Sequence, residues 1–308
     1  INYKKNDKED FQLNYSKRIS APNFFQLLPF PDYSDPQNIQ IGNPGLKPQF
    51  THSFEVAYNN AYKKGSNFLA TAYYKYSTDL ITNYVYRDIN RANNNGDSSF
   101  FTSFINANTA TVYGLELSNK TAVTKWWDLN LSFNLFKSAI EATIPGQNVN
   151  NDLTSWFSKM NNTFKLSKTL SFQFSGQYQA KTILPPGGSS SRGGGFGGPG
   201  GGFGGPQSTA QGYNLPVYDF DMAIRKEWAL KGGNTASLSF SVNDVFKTRV
   251  NKTFSQSVYF IQNQTRVRDQ QLFRVNFSYR FGKFDMNLLR RKNNKMEEGG
   301  GGMDQIPQ

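Results

Sequence analysis

His52 is the single histidine of the chain and cysteine is absent, so imidazole chemistry has one centre and thiolate chemistry none. A metal site would need further ligands at coordinating spacing around that ring, and none accompanies it. A Ser-His-acid nucleophile would have to use the same imidazole at a strand end. Strand parity sets His52 with Phe54 and Val56, which reads as an interfacial histidine. Asp219 and Asp221 stand two apart with Arg225 on the same side. Paired carboxylates can do acid–base work, yet alternation along a strand already explains the pair, and a solvated or partner-facing network is the plainer reading. Pro185 to Pro206 is rich in glycine and carries Phe196 and Phe203. It lacks the Gly-Lys-Ser/Thr and the strand-to-helix context of a phosphate cradle, so it reads as a flexible external loop. No catalytic constellation emerges, and neither an enzyme activity nor a cofactor is expected.

Recognition chemistry is better represented. Within 21–48, Phe24, Phe25, Phe30 and Tyr33 supply stacking area while Asp32 and Asp35 supply acceptors, a mixture suited to holding a ligand. Tyr84, Tyr86 and Arg87 open the next long connection and can face the same mouth. The competing reading is that these aromatics pack the loops together or sit at an interface.

The elements that must position these residues alternate apolar and polar side chains. Leu129, Leu131, Phe133 and Leu135 are separated by Asn130, Ser132 and Asn134, and Phe273 to Phe281 repeats the pattern. Successive strand residues point to opposite faces, so each segment has one apolar and one polar face. The pattern predicts strands near 9–20, 49–62, 66–84, 101–123, 127–141, 153–166, 169–183, 213–229, 234–246 and 269–282. Each reaches the roughly 9–11 residues that a tilted strand needs to cross a bilayer. Connections alternate between long (21–48, 85–100, 142–152, 184–212, 247–268) and short (Lys63-Lys64-Gly65, Thr124-Lys125-Trp126, Ser167-Lys168, Leu230 to Gly233). That asymmetry belongs to transmembrane barrels; a soluble sandwich is the alternative. Trp126, Trp127 and Trp228 at short turns suit an interfacial belt. No run approaches the ~18 apolar residues of a spanning helix.

The net charge is +12, but the lysines are dispersed over short turns (Lys63, Lys64, Lys125, Lys168, Lys231), polar strand faces and a basic tail. No nucleic-acid module is present, so the charge reads as lumen and rim lining with affinity for anionic lipid head groups. Residues 1–282 read as barrel and 283–308 as a flexible tail.

Several motifs occur in order. Tyr15 to Pro22 is followed by Leu27-Leu28-Pro29-Phe30, Asp35-Pro36 and Gly42-Asn43-Pro44-Gly45-Leu46-Lys47-Pro48. Ser53 to Tyr58, Tyr113-Gly114-Leu115-Glu116-Leu117, Ser239 to Phe246 and Phe277 to Phe281 come after them. This order resembles the C-terminal half of TonB-dependent outer-membrane receptors of the Bacteroidetes type. Gln49 and Ala21 depart from the usual pattern, and the chain runs on to Gln308 past Phe281. The resemblance implies an all-β transmembrane barrel of about 22 strands with a plug in its lumen, of which this chain carries roughly the last ten. The plug, the TonB-contacting segment and the first strands are expected elsewhere. It implies an outer-membrane location with long loops outside and with short turns and the tail in the periplasm. It also implies uptake of an external nutrient with TonB-supplied energy. Gln173, Ser175, Gln177, Asp219, Asp221, Arg225, Asn276, Ser278 and Arg280 are then expected to line the lumen and bond the plug. Lipopolysaccharide, a surface lipoprotein or other outer-membrane subunits are the further partners. The alternative is a non-transporting structural subunit of an assembly or secretion complex.

Overall fold

The computed structural model describes residues 1–89, 98–144, 147–183, 211–256, 261–267 and 270–282. The Gly-rich stretch 185–206 and the tail 283–308 lie outside the described residues. The strands are β1 (Asn2–Lys4), β2 (Glu9–Ser20), β3 (Asn38–Gln40), β4 (Gln49–Lys63), β5 (Ser66–Ile89), β6 (Ser98–Ala122), β7 (Trp127–Ile144), β8 (Gln147–Lys165), β9 (Leu170–Gln179), β10 (Thr182–Ile183), β11 (Gln211–Asn214), β12 (Val217–Ala229), β13 (Thr235–Asn243), β14 (Val250–Gln256), β15 (Ile261–Val267) and β16 (Leu272–Arg280). One short helix, α1 (Phe24–Leu27), lies between β2 and β3.

A twelve-stranded sheet runs β1-β2-β4-β5-β6-β7-β8-β9-β12-β13-β16, with β3 added to β6. Apart from β3 the neighbours are antiparallel, and the ten long strands are the ten that the alternation predicts. The connections at 184–212 and 247–268 depart from expectation: β14 and β15 within the second pair with β10 and β11, which bracket the first, in a second sheet, β10-β11-β14-β15. The predicted strand at 213–229 breaks at Leu215-Pro216, where proline has no N–H to give the ladder.

Register fixes the faces. Leu13, Val56, Ala72, Leu115, Leu135 and Trp156 form one row across six strands. Trp127, Phe164, Phe172, Ile224, Phe240 and Val275 form another. Among the described residues no second sheet covers these rows: Val56 is 52% exposed, Leu135 43% and Val275 72%. A soluble protein cannot leave such a belt in water. The belt is bounded by Tyr15, Phe54, Tyr74 and Tyr113 on one side. On the other, Tyr62 reaches Thr121, and Trp126 packs at a tilt against Trp127 and Phe164. From Tyr113 to Thr121 a strand tilted about 40° rises roughly 20 Å, close to the ~25 Å apolar band of a membrane barrel.

The opposite face is polar. Gln177 pairs with Asp219, Ser175 with Asp221, Arg225 with Ser239 and Ser239 with Asn276. On this face Leu80, Ala110, Ile140 and Ile183 gather into an apolar patch, with Ile105 and Leu153 against it. Leu80 would lie with Tyr74 and Thr78 by simple alternation, but Asp79 adopts φ 54° and Leu80 is buried in this patch. Ile183 thereby anchors the second sheet on the polar side of the wall.

Gly114 marks a close approach. A Cβ there would stand 2.4 Å from the Leu135 carbonyl oxygen and 2.7 Å from Phe136 Cβ. Backbone cannot yield as a side-chain tip does, so Gly114→Ala should lower stability by about 1–3 kcal/mol, measured as a shifted denaturant midpoint in detergent. An unchanged midpoint would contradict the tight β6–β7 contact.

Candidate functional site: the docked loop and the polar face

The segment between β2 and β4 is stapled to the wall. Asn23 caps α1, its side chain accepting from Gln26 N at 3.0 Å while Gln26 Oε1 accepts from Asn23 N at 2.9 Å, a reciprocal box that holds the first turn. Gly42 N donates to Leu28 O and Asn43 N to Gln26 O, folding the helix back on the Gly-Asn-Pro turn. That turn is fixed in place by Asn43 Nδ2 donating to Phe104 O (2.9 Å), and by Asn106, which accepts from Lys47 N (2.8 Å) and donates to Lys47 O (2.9 Å).

Strand β3 adds in parallel to β6, Asn38 opposite Phe100 and Ile39 opposite Phe101. Ile39 is fully buried. Ser99 Oγ donates to Pro36 O at 2.7 Å. Beyond Thr109 the edge of β6 is no longer occupied by β7, and β3 fills the vacancy. The attachment also brings β5 into the same layer. Tyr86 stacks on Phe101 at 5.5 Å, and Arg87, opposite Phe100, donates from Nε to Ser98 Oγ at 2.7 Å. The Tyr84 side chain lies outside the described residues; its backbone faces Ser103.

The loop aromatics are held out from this layer. Phe24, Phe25 and Phe30 are 69–76% exposed, with Phe24 edge-on to Phe25 at 5.6 Å; Tyr33 is also exposed. The two aspartates spend acceptors on the loop itself. Asp32 Oδ1 accepts from Ser34 N and Oγ, and Asp35 accepts from Gln37 N and Asn38 Nδ2. The Ser34 hydroxyl holds Asp32, and the Asn38 amide holds Asp35, below the ordinary value of 3.8. A carboxylate lowered on folding adds stability above its unfolded pKa and loses it as pH falls through the folded one. The loop should therefore keep its hydrogen-exchange protection at 32–38 down to about pH 4 and loosen only below that. Loosening at pH 6 would contradict these turns.

On the polar face, Asp219 and Asp221 find their cation in Arg249 instead of Arg225. Arg249 Nη2 pairs with Asp219 Oδ2 and lies 3.9 Å from Asp221 Oδ1. Asp219 also accepts from Gln177 Nε2 at 2.7 Å. Arg225 bonds Glu227 at 2.7 Å. Asp244, almost fully buried, accepts from Thr248 N and Arg249 N, while its own N–H donates to Asp221. The knot ties the start of β14 to β12. Asp244 falls inside the Ser239 to Phe246 motif but carries no sign there of its role, and nothing in the sequence marks Arg249; the turn between them shows positive φ at Asp244 and Lys247. Gln173, Ser175, Asn276, Ser278 and Arg280 share this face. His52 lies on the apolar face, bonded through Nδ1 to Tyr15 Oη at 2.9 Å. Among the described residues no three acidic or histidine side chains gather as a metal site.

A ten-stranded wall with one bare apolar face between aromatic rows is a membrane wall. The profile of the outer membrane protein beta-barrel family matches residues 1–279. The chain belongs to that family. Membership places this barrel chain in the outer membrane, where one apolar strand face meets lipid. No curated protein matches the chain.

Among solved structures, a mutant of the ferric enterobactin receptor PfeA from Pseudomonas aeruginosa superposes with a TM-score of 0.54 at 14% identity, covering 81% of this chain and 34% of that one. A second PfeA mutant, in complex with enterobactin, gives 0.56 at 15% identity over 90% and 38%. At that identity the likeness is one of fold. This barrel chain spans little more than a third of the receptors' length.

Proposed function

We propose that this barrel chain is the C-terminal wall of a TonB-dependent receptor that captures an external nutrient and passes it inward with TonB-supplied energy. The observation that carries this reading is the docked loop: exposed Phe24, Phe25, Phe30 and Tyr33 stand on a segment pinned to the projecting β5–β6 hairpin. Rigid aromatics held away from their own fold bind at low ordering cost. Strands β5 and β6, of 24 and 25 residues, far exceed the roughly 9–11 that cross a bilayer, so they raise this platform above the membrane. The resemblance to receptors such as PfeA supports the same role, and a ferric chelate is the first ligand class to try.

In this reading the long connections lie outside and the short turns in the periplasm. The lumenal row of Gln173, Ser175, Gln177, Asn276 and Arg280 bonds a plug carried by the rest of the polypeptide. Lipopolysaccharide and a surface lipoprotein are partners of the outer rim. Backbone along β16 and along the part of β2 that β1 leaves uncovered cannot stay unpaired in hydrocarbon, which supports further strands completing the barrel.

The test uses the complete receptor in its native membrane, with a panel of ferric catecholate, ferric hydroxamate, cobalamin and oligosaccharide probes. Phe24→Ala/Phe25→Ala/Tyr33→Ala should weaken binding of the accepted probe at least about thirtyfold, as loss of aromatic anchors does. Deleting TonB should stop uptake without touching binding. Unchanged affinity in the folded triple variant removes the site, and uptake that persists without TonB removes the mechanism.

A further inference from the structure

The rim made by the short turns has a composition that neither loop recognition nor plug bonding uses. Every short connection at that end carries an exposed lysine: Lys8 before β2, Lys63 at the end of β4 and Lys64 after it, Lys125 between β6 and β7, Lys168 between β8 and β9, and Lys231 between β12 and β13. Antiparallel pairing of neighbours puts all five turns on one level. Among the described residues none of these six side chains has an acidic partner. The nearby acids are already engaged, Asp7 with Lys4, Glu9 with Lys5 and Asp128 with Lys165. At the opposite end some cations are used within the chain: Lys137 pairs with Asp152, Arg249 with Asp219, and Lys181 lies over the Tyr213 ring.

Position relative to the apolar belt supplies the second observation. Tyr62 immediately precedes Lys63, Trp126 follows Lys125, and Trp228 comes three residues before Lys231; all three aromatics are exposed. They border the lipid-facing rows, at the depth where aromatic rings meet headgroups. Lys226 shares the lipid-facing row of Leu170, Leu238 and Phe277. It extends to Thr169 Oγ1 at 2.8 Å, an ammonium led from an apolar face towards the polar boundary. Lysines placed one step beyond an aromatic belt lie at phosphate level. Clusters of about 4–8 such cations favour anionic lipid.

We propose that the short-turn rim is a docking surface for the phosphodiester headgroups of an anionic phospholipid such as phosphatidylglycerol, which would form a selected lipid shell around this end of the barrel. The lysines bind through charge and not through a shaped pocket, so the preference should be salt-sensitive.

The complete receptor is placed in nanodiscs of equal phosphatidylglycerol and phosphatidylethanolamine, recovered in mild detergent, and its retained lipid is quantified by mass spectrometry. A symmetric disc reads the rim whichever way the barrel inserts, so the result stands apart from the orientation and uptake proposed above. Phosphatidylglycerol should be retained about tenfold over phosphatidylethanolamine and lose most of that preference at about 0.5 M salt. The variant Lys63→Gln/Lys64→Gln/Lys125→Gln/Lys168→Gln/Lys231→Gln should fall to near parity, while the matching arginine variant keeps the preference. If the glutamine variant does not fold, Lys63→Gln/Lys64→Gln alone should lower it measurably. Equal retention of both lipids by the unaltered receptor overturns the proposal. So does a preference that survives the glutamine changes, or a variant that sheds an acidic protein partner with its lipid profile intact.

Discussion

Arg249→Met is expected to cost about 3 kcal/mol, the low end of what removing one partner of a buried ion pair costs. Asp219 is the reason: its side chain is only 4% exposed, and without the guanidinium it keeps a single neutral donor, Gln177. The low end applies because Arg249 itself is 28% exposed, so water can reach part of the vacated site. Damage should be regional. Arg249 adjoins Val250, the first residue of β14, so amide exchange should quicken through β14 and its partners β11 and β15. Strands β4 to β7 should be unaffected. Adding Asp219→Asn to Arg249→Met should restore most of the loss, because the second change removes the stranded charge. A double variant no better than the single one would mean that packing of the arginine stem, and not its charge, ties β14 to β12.

Leu117→Arg should cost about 2–4 kcal/mol, as a cation does at the bilayer midplane of a barrel. Leu117 stands midway between Tyr113 and Thr121 and shares a row with Ala70 and Phe133, so the guanidinium has four residues of strand to cover before either interface. Ser239→Arg is the matched control. It lies on the polar face between Arg225 and Asn276, and the same substitution there should cost less than about 1 kcal/mol. Reversible urea unfolding in lipid vesicles measures both. Equal costs for the two sites would mean that the apolar rows do not face hydrocarbon. Both predictions hold whatever ligand the docked loop takes.

The wall was legible in the residues because its signal is local. Alternation between Phe11 and Tyr15, or between Leu129 and Leu135, fixes which side chains share a face without reference to any other strand. Long and short connections then fix neighbour order, since a turn as tight as Lys63-Lys64-Gly65, with Gly65 at φ 77°, can only join antiparallel neighbours. The faces of Gln173, Gln177, Asn276 and Arg280, and the outward place of His52, followed from the same period.

What tertiary structure decided depended on residues far apart in the chain or on single backbone angles. Alternation put Asp219 on the same side as Arg225, but the cation it meets is Arg249, 30 positions away, brought back by a second sheet whose short strands carry little periodicity. Leu80 left the face that parity assigns because Asp79 takes a positive φ, which alternation cannot register. Strand β3, three residues long, was hidden in a Pro-rich loop and exists only because β6 outlasts β7 and offers it an unpaired edge. Period-two patterning specifies faces through each residue's own neighbours, whereas pairing across loops is set by geometry that forms only once the wall has closed ranks.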